Sequence, residues 1–124
     1  MPRLFGFVWL VFGTLLPLQA AEPERRLDFN RDIRPILSNH CWNCHGPDEA
    51  SREGELRLDL RDAALAITPE KHRAIVPGDP AASELIARIE AHDDTQMPPE
   101  KFEKPLTSAQ KELLKRWIAE GANY

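Results

Sequence analysis

Cys41-Trp42-Asn43-Cys44-His45 is the stretch of this 124-residue chain on which the fold turns. Two thiols separated by two residues on a helical turn can reach the two vinyl groups of one porphyrin, and the imidazole that follows directly points at the iron. The spacing therefore indicates one covalently held haem of the c type, with thioethers at Cys41 and Cys44 and His45 as the proximal ligand. An imidazole in that role needs an acceptor for its other ring nitrogen, which fixes the tautomer and tunes ligand basicity. No side chain in the sequence identifies itself as that acceptor.

Two haem-free chemistries share part of this motif. A disulfide oxidoreductase uses C-x-x-C, but within a βαβ pattern that this chain does not show, and it gives the adjacent histidine no task. A structural zinc ion needs two further ligands, and His72 and His92 stand twenty residues apart instead of at the usual short gap.

A second axial ligand separates electron transfer from the binding or activation of small molecules, as in a peroxidase-like or gas-binding site. Met97 is the candidate, fifty-two residues beyond His45 in a segment whose Pro98 and Pro99 restrict the backbone. The competing role for Met97 is that of a flexible packing residue. His40, His72 and His92 are rival ligands with blander explanations: His40 is constrained by Cys41, His72 sits in the basic cluster Lys71-His72-Arg73, and His92 falls at a helix end. That cluster, with Arg34, Arg52, Arg57 and Lys101, also contains the candidate partners for the haem propionates, though surface charge is the default role of each.

Upstream of the motif, Met1–Arg3 is a short basic start, Leu4–Leu16 is almost entirely apolar, and Pro17 leads to the small residues Ala20 and Ala21. This is the layout of a secretory signal peptide over residues 1–20, with cleavage after 20 or 21 and a single domain over 21–124. The apolar run is shorter than the roughly 20 residues that cross a bilayer, so no stable membrane span is expected after cleavage. Export to the periplasm or another extracytoplasmic compartment follows as the expected location. Cleavage after Ala20 would leave 104 residues, five aromatics and a formal charge of −5. The acidic balance argues against nucleic acid as a partner, since phosphate binding needs clustered Lys and Arg.

The rest of the chain reads as mainly α. Asp32 is expected to cap a first helix carrying Ile33, Ile36 and Leu37, with Pro35 in its first turn. Leu56, Leu58 and Leu60 alternate with polar residues, which suggests a short extended segment or a loop. Asp62–Ala66 fits one helical turn. Asp79 and Pro80 are expected to open a helix with Leu85, Ile86 and Ile89 on its apolar face, ending near Ala91. His92–Pro105 reads as irregular loop. Thr107 and Gln110 form a capping box ahead of Leu113, Leu114, Trp117 and Ile118, with Gly121 as the stop. Three main helices, the first and last packed together, make an all-α domain. Trp42 and Trp117 are expected to pack, not to relay electrons.

Taken together, these segments resemble the planctomycete-type cytochrome c domain, a relative of class I monohaem cytochromes c. The resemblance is carried by Phe29-Asn30-Arg31-Asp32-Ile33-Arg34-Pro35-Ile36-Leu37, the C-x-x-C-H, Gly46-Pro47-Asp48-Glu49, Leu56-Arg57-Leu58-Asp59, Ile75-Val76-Pro77-Gly78-Asp79-Pro80, Ser83-Glu84-Leu85-Ile86, Met97-Pro98-Pro99 and Trp117-Ile118-Ala119-Glu120-Gly121-Ala122. It implies a cytochrome c-like fold around one haem c, Met97 as distal ligand, and an exported electron carrier that is not itself an enzyme. Its partners would be a protein electron donor and a protein acceptor.

Overall fold

The computed structural model describes Met1 and residues 24–124; the apolar run and cleavage point of the expected leader lie outside them. Among the described residues the regular structure is helical, with no strand and one isolated bridge between Ile67 and Arg73. None of these helices is long and apolar enough to cross a membrane. The described residues form five α-helices: α1 (Arg34–His40), α2 (Trp42–His45), α3 (Arg61–Leu65), α4 (Glu84–Glu90) and α5 (Ser108–Ala119). The all-α expectation holds. The count exceeds three because the first helical run breaks at Cys41 and because α3 is a single short turn.

The chain enters α1 through a wider π-helical turn, Phe29–Ile33, and this moves the cap expected at Asp32 back by one turn. Asp28 is the N-cap: its carboxylate accepts the Arg31 N–H at 2.9 Å. Asp32 reaches back to accept the Asp28 N–H at 2.8 Å, so two otherwise unpaired donors are satisfied reciprocally. That backbone bond, aided by Arg25, holds the Asp32 carboxyl below the usual aspartate range. Pro35 follows the wide turn, inside the first turn of α1, where its missing N–H is tolerated. Ile33, Ile36 and Leu37 are buried, as their spacing predicts.

The π-turn packs against α5, so the two ends of the domain meet. Phe29 stacks on Tyr124 at 4.3 Å between ring centroids and lies 5.9 Å from Trp117. The Trp117 indole N–H donates to the Asn123 carbonyl at 2.8 Å, and the Tyr124 hydroxyl donates to the Leu58 carbonyl at 2.9 Å. Helix α5 starts at the expected capping box of Thr107 and Gln110, and Gly121, at φ +107°, ends it in the left-handed region that favours glycine. Its inner face, Leu114, Trp117 and Ile118, is buried.

A second expectation is corrected at the start of α4. Helix α4 begins at Glu84, four residues later than the Asp79-Pro80 start implied. The Asp79 carboxylate instead accepts the Ala82 N–H at 3.1 Å, closing a turn ahead of the helix. Extended backbone at Ser83 then sets the start, because its hydroxyl is used elsewhere: it accepts the Val76 N–H at 2.8 Å and donates to the Asp79 carbonyl at 2.8 Å. Leu85, Ile86 and Ile89 are buried as expected. Of the two readings of Leu56, Leu58 and Leu60, the loop holds. No strand forms; Leu58 is buried, Leu56 is half-buried and Leu60 is exposed, because the segment bends over the motif instead of pairing with a neighbour.

Ser83 is 1% exposed, so its replacement exposes a buried donor to no acceptor. Ser83→Ala should lower stability by about 1–3 kcal/mol, the cost of leaving the Val76 N–H unpaired, read as a shift in denaturant midpoint. A midpoint equal to the parent's would show that the hydroxyl does not hold this turn.

Candidate functional site

The motif occupies the break between α1 and α2. The Cys41 N–H closes the last turn of α1 on the Leu37 carbonyl at 2.8 Å, and the His45 N–H bonds the Cys41 carbonyl at 2.8 Å. Cys41 and Cys44 thus stand one helical turn apart, both as free thiols. Directly after His45, Gly46 passes so close to the preceding turn that a Cβ would overlap the Trp42 carbonyl oxygen. Arg52 clamps this corner, donating to the carbonyls of Gly46 and Pro47 at 3.2 Å each.

The loop 53–58 then returns across α2 and pairs with it. The Glu53 N–H donates to the Cys44 carbonyl at 2.8 Å and the Leu58 N–H to the His45 carbonyl at 2.8 Å. Between them, His45 Nδ1 lies 3.1 Å from the Glu53 carbonyl oxygen. A carbonyl only accepts, so Nδ1 carries the proton and Nε2 keeps a free lone pair. The acceptor that the sequence left unnamed is therefore the main-chain carbonyl of Glu53. Burial lowers the His45 pKa, against the raising effect of the Glu53 and Leu56 carbonyls, so the ring stays neutral near pH 7 and available to a metal.

This donor set fits a covalently bound haem: two thiols on one turn, and a neutral, oriented imidazole with its outer nitrogen free. It fits the alternatives poorly. Burial foremost, with Cys44 adding a smaller effect, pushes the Cys41 thiol up to about 12, whereas a redox-active C-x-x-C relies on a depressed thiol pKa. Among the described residues no three His, Cys, Asp or Glu side chains come together as a metal-ion site, which leaves a tetrahedral zinc ion without a ligand set there.

Met97 lies in irregular chain beyond α4, half-buried, with its N–H donated to the Arg88 carbonyl at 2.9 Å. The Arg88 charge adds a small lowering effect to the His45 imidazole, well behind burial. The rival histidines are otherwise placed. Both ring nitrogens of His40 are engaged, with the Lys104 carbonyl and the Gln110 side chain. His72 faces Glu84 at 3.9 Å, and His92 is exposed on an open polar groove beside Glu90, Lys111 and Glu112. Trp42 packs against the core under the Arg34 guanidinium, 5.7 Å from the ring centroid, and its buried indole N–H meets no acceptor among the described residues. Arg57 is paired with Asp59 through two bonds at 3.0 and 2.5 Å. The sequence reading missed Glu53 and Arg88, which act through main-chain carbonyls that no residue pattern marks, and it named Arg52 only as a candidate propionate partner, not as the clamp of the Gly46 corner.

An all-α domain that closes its terminal helices on each other and presents C-x-x-C-H on a short helix defines a cytochrome c-like protein. Residues 41–101 match the family model described as planctomycete cytochrome C, and this segment is a planctomycete-type cytochrome c domain. The match begins at Cys41 and includes Met97. No curated protein and no solved structure matches the chain.

Gly46→Ala should cost about 1–3 kcal/mol, because the added methyl must push the backbone of α2 away from the corner. The test is chemical denaturation of parent and variant. Equal stability would mean that the close approach of Gly46 to Trp42 is not required.

Proposed function

We propose that the protein is an exported carrier of single electrons, holding one haem c through Cys41 and Cys44 with His45 and Met97 as axial ligands. The observation that carries this reading is the oriented imidazole: within a C-x-x-C-H turn, His45 donates Nδ1–H to the Glu53 carbonyl, which leaves Nε2 unprotonated. When bound, haem supplies the one-electron Fe(II)/Fe(III) chemistry.

The chain's own residues determine how that chemistry is used. The thiols would fix the porphyrin through two bonds that do not dissociate. The hydrogen bond at Nδ1 strengthens His45 as a donor and stops the ring from rotating. The Arg88 carbonyl fixes the backbone at Met97, whose soft thioether would, as a ligand, favour the reduced state and raise the potential. With both axial positions taken, small molecules would be excluded and transfer to protein partners favoured over chemistry at the iron. The signal-peptide layout of residues 1–20 supports an extracytoplasmic setting, where such partners would be met.

Met97→Ala, made in a host that attaches haem to C-x-x-C-H proteins, should lower the reduction potential and open the sixth position. The reduced variant would bind carbon monoxide while the parent remains six-coordinate and low-spin. An unchanged potential and ligand spectrum in the variant would exclude Met97 as a ligand. Carbon monoxide binding by the parent itself would favour a five-coordinate, gas-binding or peroxidase-like site.

A further inference from the structure

We propose that His40 is the positioning residue of the Met97 loop, pinning its far end to the segment that carries the first attachment cysteine. This inference rests on Met97 being the distal ligand. The loop from Met97 to the start of α5 is held at its near end by the Met97 N–H on the Arg88 carbonyl. From Pro98 to Leu106, among the described residues, one hydrogen bond reaches a distant part of the chain: His40 Nδ1 to the Lys104 carbonyl, at 2.9 Å and across 64 positions. The other bonds inside this stretch are local, closing the 3₁₀ turn Glu100–Phe102. The side chain of Leu106 is buried just beyond and secures the base of α5. His40 is the polar pin between these anchors.

The protonation pattern follows from the partners. The Lys104 carbonyl only accepts, so His40 Nδ1 donates. On the other side, Gln110 Oε1 accepts the Thr107 N–H at 2.9 Å as half of the capping box, which turns the Gln110 amide nitrogen toward His40 Nε2 at 3.4 Å. Gln110 donates and His40 accepts, so one neutral tautomer satisfies both contacts. A single imidazole thereby joins three things: the residue before Cys41, the loop seven residues beyond Met97, and the cap of α5. A thioether on a loop pinned between its two anchors loses little freedom on binding iron, whereas the same loop without the pin at Lys104 would move more freely and yield more readily to competing ligands.

The experiment compares imidazole binding to the ferric, haem-loaded protein in the parent and in His40→Ala, His40→Asn, Met97→Ala and Ser83→Ala. Covalent haem content is measured first, since its absence in the parent would overturn the haem reading and this inference with it. His40→Ala should bind imidazole about fivefold to tenfold more tightly than the parent, the amount one hydrogen bond is worth. Asn places its amide N–H where Nδ1–H stands, so His40→Asn should return to within about twofold of the parent, on the same scale. Met97→Ala marks the fully open site, and an affinity unchanged there would exclude Met97 as a ligand. Ser83→Ala is destabilising, but Ser83 makes no hydrogen bond to His40 or to the loop 97–106, and the variant should leave imidazole affinity at the parent's value. The inference is overturned if His40→Ala binds imidazole no better than the parent, if His40→Asn is as loose as His40→Ala, or if Ser83→Ala loosens the site equally.

Discussion

Three backbone hydrogen-bonding groups of the loop 53–58 decide what the C-x-x-C-H turn can do. The N–H of Glu53 takes the Cys44 carbonyl, the N–H of Leu58 takes the His45 carbonyl, and the Glu53 carbonyl takes the imidazole proton. A four-residue helix is far below the length at which helices persist alone, so α2 depends on this strap for its shape. The strap in turn depends on the corner at Gly46, where the absence of a side chain lets the chain reverse against Trp42. The chemistry proposed for His45 therefore rests on main-chain geometry, and the side chains around it serve to keep that geometry in place.

The ends of the domain reinforce the same element. Leu58, whose N–H holds the His45 carbonyl, receives at its own carbonyl the hydroxyl of Tyr124. Tyr124 stacks on Phe29 and lies 5.4 Å from Trp117, so the packing of the first helical turn against α5 is transmitted to the strap through one phenol. Burial of that phenol raises its pKa, which keeps it a neutral donor across the physiological range. Helix α4, for its part, holds the Met97 N–H through the Arg88 carbonyl. The small helices are thus brought together around the attachment turn, and loops carry the polar contacts between them.

What was legible in the sequence is what depends on residue type at short spacing. The thiols and imidazole of 41–45, the Thr107–Gln110 box and the apolar stripe of Leu85, Ile86 and Ile89 all declare themselves within one or two helical turns. Positions set by longer-range contacts did not. Asp32 resembles a cap, yet a wide turn hands that role to Asp28. Asp79-Pro80 resembles a helix start, yet the Ser83 hydroxyl is committed to Val76 and delays it. The alternation of Leu56, Leu58 and Leu60 implies a face only if a partner strand exists, and none does among the described residues. The acceptor of His45 is a carbonyl, which every residue possesses, and His40 acts on a partner 64 positions away.

The proposed haem c depends on thioethers at Cys41 and Cys44 and on His45 as a ligand. Intact-mass analysis of the protein from a host with a cytochrome c maturation system, combined with alkylation after denaturation, tests this most directly. The account predicts the polypeptide mass plus one haem, with neither cysteine open to alkylation before or after treatment with a thiol reductant. A chain without added haem, whose two cysteines alkylate freely or do so once a disulfide is reduced, would contradict it.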